Sequence, residues 1–332
     1  MSEKVHNEKE NESQLRILYL YQILLKYSDQ EHPMSTKELL QAMQDYHQIS
    51  MHRTTLPKDI AALREAGVEI IEVRARDKKY FLADRMFEVA ELKLLIDAVE
   101  SSKFISERKS EELTDKLIAL SSVGMAARLK RNSLNAGRIK SENEKSYYIV
   151  DAVNDAINSG KRISFCYTDI DMNKQKVMKN GGEPYILSPY SLLWNGDYYY
   201  LIGYNHGREQ INTFRVDRID RQPEILEEEI QPMPEDFSLE TYARMVFRMF
   251  DTEEPVKVTL YCERPLMKHV IDQFGMDVET EIVDENGFIV HAEICASPTF
   301  YRWVFGWNGK MKILAPDSVL EEYHEMARKA LE

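Results

Sequence analysis

The residues with the clearest chemical potential close an aromatic-rich segment, where residues 214–219 read FRVDRI. A guanidinium group donates paired hydrogen bonds to phosphate oxygens, and the flat ring of a tyrosine stacks on a base. Arg215 and Arg218 lie at the predicted end of a strand, where the chain turns and both side chains could converge on one anion. The segment therefore predicts a site for a nucleotide or a short single-stranded nucleic acid.

A second interpretation of the segment is a local salt bridge, because Asp217 lies between the two arginines. The preceding residues alternate as a strand does, so that Tyr198, Tyr200, Ile202 and Tyr204 share one face. One face of this predicted hairpin must build a core, and at most half of its tyrosines are therefore free to line a pocket.

Seven residues are candidates for binding this ligand. They are Tyr167, Ser188, Tyr200, Tyr204, His206, Arg215 and Arg218. For Tyr167 and Ser188 ordinary core packing is an equally good explanation, and His206 fits an ordinary loop residue.

The sequence offers no support for catalysis. It contains no HExxH, GxSxG, P-loop or Rossmann glycine pattern, and its eight histidines are scattered. The three cysteines show no CxxC pairing, which argues against a zinc site and against a disulfide framework. We therefore expect no catalytic residue, no metal site and no cofactor, and a protein that is not an enzyme.

The formal net charge of −13 is unevenly distributed. Residues 51–80 carry seven Lys or Arg against five Asp or Glu, and residues 126–140 carry five basic residues and no acidic one. DNA responds to the local patch, so the net charge does not exclude it as a partner. No apolar run approaches the roughly 18 residues of a membrane span, and the polar N-terminus lacks the apolar core of a signal peptide. A cytoplasmic protein without membrane contact is expected.

Residues 13–84 read as three helices followed by a β-hairpin. Apolar periodicity predicts a first helix over about 11–28, and Ser35 begins a capping box that starts the second. A third helix carries Leu56, Ile60 and Leu63 inward and ends near Gly67. This order predicts a winged helix-turn-helix, whose third helix enters the major groove of duplex DNA. The candidate DNA-binding residues are Ser35, Thr36, Arg53, Thr54, Thr55, Lys58, Arg74, Arg76 and Lys78.

The rest of the chain completes a multidomain α+β fold. Residues 1–12 are expected to form a disordered tail, and residues 85–140 a helical linker or dimerisation module that ends in an exposed, mobile basic connector over 126–140. A helix and five short strands over 143–225 predict a small SH3- or Sm-like β-barrel. An acidic stretch over 222–236 separates it from alternating helices and strands over 236–332, which predict a C-terminal α+β domain.

Two segments carry a resemblance to known regulators. The stretch HRTTLPKDIAALREAGVEI resembles the recognition helix of DeoR-type bacterial regulators, with Pro57 in place of the usual aromatic. Proline is tolerated only in the first turn of a helix, so this helix should begin near Thr54. The triplet Tyr199-Tyr200-Leu201 resembles the Trp-Tyr-Leu signature of the WYL domain, and the segment FRVDRI resembles its companion motif.

The resemblance extends to the end of the chain. The stretch RWVFGWNGKMKILAPDSVL is similar to the C-terminal extension of WYL regulators. It implies a homodimeric transcriptional regulator that binds operator DNA through its head and senses a nucleic-acid fragment or nucleotide through its WYL domain. The alternative is an adaptor that senses nucleic acid without binding DNA, or whose helical head binds a protein.

Overall fold

The computed structural model describes residues 2–74, 77–131, 139–235, 237–239 and 255–332, with the backbone alone for 2–14 and 131. The chain forms two compact units, Met1–Glu142 and Asn143–Glu332, and both mix helices with antiparallel sheets. No helix in the described part of the chain is long and apolar enough to cross a membrane.

The secondary structure follows the expected order of elements. The helices are α1 (Ser2–Tyr27), α2 (Thr36–His47), α3 (Leu56–Glu65), α4 (Val89–Ser101), α5 (Glu107–Ala119), α6 (Val123–Arg131), α7 (Ser146–Ser159), α8 (Met267–Phe274), α9 (Pro298–Phe305) and α10 (Asp317–Lys329). The strands are β1 (Met34–Ser35), β2 (Ile70–Arg74), β3 (Lys78–Leu82), β4 (Lys161–Phe165), β5 (Thr168–Ile170), β6 (Lys176–Met178), β7 (Tyr185–Asn195), β8 (Tyr198–Asn205), β9 (Gln210–Arg215), β10 (Glu224–Glu229), β11 (Pro255–Glu263), β12 (Glu279–Ile282), β13 (Gly287–Cys295) and β14 (Met311–Ala315).

The first three helices and the first three strands form one body, called the head below. Its helices enclose a core that includes Leu24, Leu39, Met43 and Ile60, and its strands pair in the order β1-β3-β2. The predicted capping box at the start of α2 is confirmed. The Ser35 hydroxyl accepts from the Glu38 backbone N–H at 3.3 Å, and the Ser35 N–H donates to the Glu38 carboxylate at 2.6 Å.

Helix α3 begins at Leu56, one or two residues later than the sequence suggests, and Pro57 lies in its first turn as expected. The missing N–H of proline costs nothing there, since the first turn has no intrahelical acceptor for it. Helix α1 begins at Ser2, where we expected a disordered tail over residues 1–12. The segment is rich in Glu and Lys, which have high helix propensity.

Helices α4, α5 and α6 follow the head and share a small apolar core of Leu92, Ile96, Ile118 and Leu129. The expectation of a mobile connector over 126–140 is wrong at both of its ends, while residues 132–138 lie outside the described part. Helix α6 covers its beginning. At its other end the Lys140 ammonium donates to three oxygen atoms at 2.7–3.3 Å, two of them carbonyl oxygens near the end of α4.

The second unit begins with α7 and a five-stranded antiparallel sheet of order β10-β4-β7-β8-β9. The predicted SH3- or Sm-like barrel is therefore wrong: within the described residues β9 and β10 each pair on one side only, and the sheet stays open. The apolar face of α7, with Ile149 and Val153 fully buried, packs against β4 and β7. The helix covers the face that a closed barrel would have to bury by curling on itself.

The last elements form a four-stranded antiparallel sheet of order β12-β13-β11-β14 with helices α8 and α9 between its strands. The alternation of strands and helices that the sequence predicts here is confirmed. Its core joins Leu260, Val290 and Phe300, and α10 adds Val319. The end of β13 contacts the five-stranded sheet, because Cys295 packs with Tyr200 and Ile202 of β8.

Candidate ligand site and nucleic-acid interface

Arg215 ends β9 and is held on two sides. Its Nε and Nη2 atoms donate to the two carboxylate oxygens of Asp217 at 3.1 and 2.8 Å. Its guanidinium carbon lies 3.4 Å from the ring centroid of Tyr198, a cation–π contact. Burial opposes the charge of Arg215, but the hydrogen bonds and the charge of Asp217 outweigh it and raise the pKa of the guanidinium group. Arg215 is thus a cation held by Asp217, with one face of its guanidinium group covered by the ring of Tyr198.

Tyr198 was missing from our candidate residues, although a signal for it was present. Strand alternation places Tyr198 on the face of Tyr200, and the register pairs Tyr200 directly with Arg215. Directly paired residues of an antiparallel sheet point to the same side. The alternation in the sequence therefore contained the Tyr198–Arg215 contact, once the register of the hairpin was known.

Arg218 has a different carboxylate partner. Its Nη1 atom lies 3.7 Å from Oδ1 of Asp169, while Oδ2 of Asp169 lies 3.2 Å from the ammonium group of Lys179. A hydrogen bond from the backbone of Ile170, followed by that from Lys179, lowers the pKa of Asp169. Asp217 thus pairs with Arg215, as the salt-bridge interpretation anticipates, whereas Arg218 pairs with Asp169, a partner that this interpretation does not name. Their binding of a ligand stays a prediction.

The turn between the two arginines is a short 3-10 helix over Val216–Arg218. Asn143 donates from its amide to the carbonyl oxygen of Asp217 at 3.1 Å, and the Thr168 hydroxyl donates to that of Arg218 at 2.8 Å. These hydrogen bonds hold the backbone of the turn that carries Arg218.

Tyr167 and Tyr200 lie beside Arg215 but serve largely in packing. The Tyr167 hydroxyl accepts from the backbone N–H of Arg215 at 3.1 Å, and its ring packs edge-on against Phe214 at 5.2 Å. Burial raises the pKa of Tyr167, so it stays a neutral phenol. Tyr200 is 7% exposed and contacts Cys295 of the C-terminal sheet. The contacts of Tyr167 are therefore those of a core residue, which was the alternative explanation for it.

The other three candidates form a separate group around His206. The Ser188 hydroxyl lies 2.8 Å from Nε2 of His206 and accepts from the backbone N–H of Gln231 at 2.8 Å. The ring of Tyr204 packs edge-on against His206 at 5.2 Å. Burial, and then the charge of Arg162, lower the pKa of His206. Ser188 is fully buried, so its hydroxyl organises this turn.

The two groups lie at opposite ends of β8. Tyr204 pairs with Ile211, four residues along β9 from Arg215. Four residues of strand span roughly 13 Å. The seven candidate ligand residues therefore do not line one small pocket. They form two separate groups along the same strand. The Arg215 group contains Tyr167, Tyr200, Arg215 and Arg218 together with Tyr198, and the His206 group contains Ser188, Tyr204 and His206.

In the head, a groove of about 610 Å³ collects four of the candidate DNA-binding residues. It lies between α2, the loop before α3 and the β2–β3 hairpin. Its lining includes Ser35, Thr36, Arg53 and Lys78. It also includes three residues of α2 that we did not predict, Lys37, Gln41 and Gln44. The only signal for them in the sequence is their helical spacing as polar residues opposite the apolar face of α2.

The remaining DNA-binding candidates lie outside this groove. Thr54, Lys58 and Arg74 are exposed, and Thr55 is the half-buried residue that precedes the first turn of α3. Arg76 lies outside the described residues. Within the groove, the ammonium group of Lys78 is paired with the carboxylate of Glu72 at 3.0 Å.

Asp59 has a structural role that the sequence did not reveal. It is buried, and both of its carboxylate oxygens accept from Arg16 of α1 at 2.7 and 2.9 Å. This bidentate pair fixes α3 on α1, and with it the orientation of the exposed face of α3. Asp59 thus positions helix α3 and does not face the solvent.

Comparison with known proteins identifies the two parts of the second unit. Residues 148–224 match the family model of the WYL domain, and residues 254–331 match that of the WCX domain. No curated protein matches the chain. One similar solved structure is proteasome accessory factor B/C (PafBC) of Arthrobacter aurescens, with 18% identity and a TM-score of 0.30 over 93% of this chain. The match covers 47% of the PafBC chain, so this protein spans about half of its length.

A second similar structure is a CRISPR Cas-related protein, with 10% identity and a TM-score of 0.37 over 73% of this chain and 70% of the other. The resemblance to the WYL domain that the motifs FRVDRI and Tyr199-Tyr200-Leu201 indicated is confirmed by the domain match. This chain carries a WYL domain followed by a WCX domain.

Proposed function

We propose that this protein is a DNA-binding transcriptional regulator whose WYL domain senses a nucleic-acid fragment or a nucleotide-like effector. The match of residues 148–224 to the WYL domain supports a regulatory role. The protein acts as a cytoplasmic homodimer on two related half-sites, and it is a binding protein and not an enzyme.

The observation that carries the DNA-binding part is the groove of the head. Three helices followed by a hairpin have the element order of a winged helix-turn-helix. The groove brings the N-terminus of α2 together with Lys37, Arg53 and Lys78. Backbone N–H groups at a helix N-terminus and nearby cations both favour a phosphate, so the rim of this groove suits duplex DNA, although Asp77 also lines it. The net charge of −13 is carried largely elsewhere in the chain.

The effector part rests on the Arg215 group. Asp217 occupies Nε and Nη2 of the guanidinium group, and Tyr198 covers one of its faces. An anionic effector either displaces the carboxylate or binds the end of the guanidinium group formed by Nη1 and Nη2. An aromatic ring beside a guanidinium group suits a base linked to a phosphate. Effector binding would then shift the population between two arrangements of the DNA-binding heads.

The test of DNA binding is a mobility shift of the full chain on genomic duplex fragments at several salt concentrations. Binding to phosphates weakens steeply as salt rises, whereas an apolar protein interface does not. We expect the double variant Arg53→Ala/Lys58→Ala to lose specific binding while it stays folded. The matched control is Lys257→Ala/Lys312→Ala, which removes two exposed lysines from the C-terminal sheet. Unchanged affinity of the first variant at moderate salt refutes the proposal.

A further inference from the structure

Helix α3 presents few groups that can distinguish one base pair from another. Its exposed polar side chains are Lys58, Arg64 and Glu65. Arg64 is already engaged, because its Nε and Nη2 atoms donate to the carbonyl oxygen of Ile70 at 2.9 and 2.6 Å. Glu65 repels phosphate. Ala61 is exposed and offers no hydrogen bond. Lys58 is a flexible point charge, which suits a phosphate better than a base edge.

Amide side chains lie in the neighbouring groove. Lys37, Gln41 and Gln44 are exposed at helical spacing on α2, so they form one stripe opposite the buried Leu39 and Met43. The same three residues line the groove together with Arg53 and Ser50 of the loop before α3, and Asp77 and Lys78 of the hairpin lie on its other side. Two amides and one guanidinium group therefore open into a single concave surface.

The chemistry of these groups matches base edges. Glutamine pairs through two hydrogen bonds with N6 and N7 of adenine, and arginine with O6 and N7 of guanine. The amide of Gln41 donates to Oδ1 of Asp45 at 2.8 Å. This hydrogen bond orients the amide and leaves one N–H and the carbonyl oxygen, which are the donor and acceptor that adenine requires.

We infer that the sequence preference of this head is set by Gln41 and Gln44 of α2 together with Arg53, with Lys58 of α3 supplying affinity for any sequence. The ligand is duplex DNA whose half-site presents adenine and guanine edges to the groove. This inference rests on the proposed function, since it requires that the head binds duplex DNA.

The test is selection of bound sequences from a pool of duplexes with randomised bases, using the full chain and the variants Gln41→Ala and Gln44→Ala. Each variant should lose the preference for adenine at a distinct position, with a loss of discrimination of roughly 5- to 150-fold there. Its affinity for random duplex should stay within about twofold. Both side chains are exposed, so thermal unfolding should be unchanged.

Lys58→Ala is the control. It should weaken binding to all sequences alike and lower the dependence of log affinity on log salt by about one phosphate contact. Unchanged sequence preferences in both glutamine variants overturn the inference while the proposed DNA binding stands. Selective binding that is lost on changing Ala61 to a bulky residue but not on changing the glutamines has the same consequence. If the unaltered chain binds no duplex at all, the proposed function fails and the inference falls with it.

Discussion

The guanidinium carbon of Arg215 lies over the ring of Tyr198, 3.4 Å from the ring centroid. The ring covers one side of the cation, and Asp217 covers one edge. Arg215 can therefore bind a ligand through the edge formed by Nη1 and Nη2. A bound base could lie on the guanidinium face that Tyr198 leaves open.

Tyr198→Ala should weaken binding of a short single-stranded DNA, because the guanidinium group of Arg215 loses the ring that supports one of its faces. A cation–π contact contributes about 0.5–2 kcal/mol, so the dissociation constant should rise roughly 2- to 30-fold. Isothermal titration calorimetry with an unlabelled oligonucleotide measures this dissociation constant. Tyr148→Ala, which removes an exposed tyrosine of α7, is the matched control. Equal losses in both variants would contradict a specific role of Tyr198.

Asp217→Asn should strengthen binding of an anionic effector. The carboxylate occupies two of the nitrogen atoms that a phosphate would use, and it cancels the charge of Arg215. A neutral amide at this position competes less and repels the incoming phosphate less. Titration of the same oligonucleotide against the variant and the unaltered chain gives the change in affinity. Weaker binding would mean that Asp217 orients the guanidinium group and does not compete for it.

The pair of Arg16 and Asp59 should contribute measurably to the stability of the head. Only 5% of the Asp59 side chain is exposed, so removal of Arg16 would leave a buried carboxylate without its partner. Breaking a buried pair costs about 3 kcal/mol or more, and the partial exposure of Arg16 reduces this. We expect Arg16→Ala to lower the urea midpoint of the transition of the head. A double-mutant cycle with Asp59→Ala isolates the coupling, and additive effects of the two changes would exclude it.

Stability below neutral pH should depend on Asp29. Burial raises its pKa, but hydrogen bonds from Ser122 and His32 outweigh that effect and lower the pKa below the ordinary value of 3.8. A depressed pKa in the folded state adds stability that is fully present above the ordinary value and is lost as the pH falls through the folded one. Ser122→Ala, which removes the hydroxyl that donates to Oδ2 of Asp29 at 2.5 Å, should therefore destabilise the protein more at pH 7 than at pH 3.

Urea unfolding at the two pH values measures this difference, with Ser101→Ala as a serine control on α4. Asp29 is buried at the C-terminal side of α1, and Ser122 directly precedes α6, so the hydrogen bond joins the head to the helices that follow it. An equal destabilisation by Ser122→Ala at both pH values would show that packing, and not the charge of Asp29, accounts for the effect.

Local features of this fold could be predicted because local physics decides them. The capping box of Ser35 and Glu38 and the place of Pro57 in the first turn of α3 depend on neighbouring residues alone. The alternation of strands and helices after residue 254 is equally local. Each of these expectations is confirmed at nearly the expected residue.

The pairing of strands that lie far apart in the chain could not be predicted from the sequence. Residues 224–229 read EILEEE, an acidic run that we interpreted as a separator, yet they form β10 and pair with β4. Almost all of its side chains are exposed, so no alternation marks it as a strand. Its position at one edge, with β9 at the other, is what keeps the sheet open.

The candidate site shows the same division. Arg215 and Tyr200 were predictable from residue type and alternation, whereas the carboxylate partner of Arg218 was not. Asp169 lies 49 positions earlier in the chain, on the β5–β6 hairpin, and long-range contacts such as the bridge between Tyr167 and Ile219 and the hydrogen bond from Thr168 to Arg218 bring that hairpin beside the turn. No periodicity in the sequence encodes this contact.

The separation of the Arg215 and His206 groups along β8 sets a minimum length for any ligand that touches both. Roughly 13 Å corresponds to about four nucleotides of a stacked strand, at about 3.4 Å each. A single nucleotide that binds at the Arg215 group would therefore leave the His206 group empty. Between the two groups the same face of β8 is covered, because Tyr200 and Ile202 are buried against Cys295, so a longer fragment would have to pass over this cover and could not follow the strand itself.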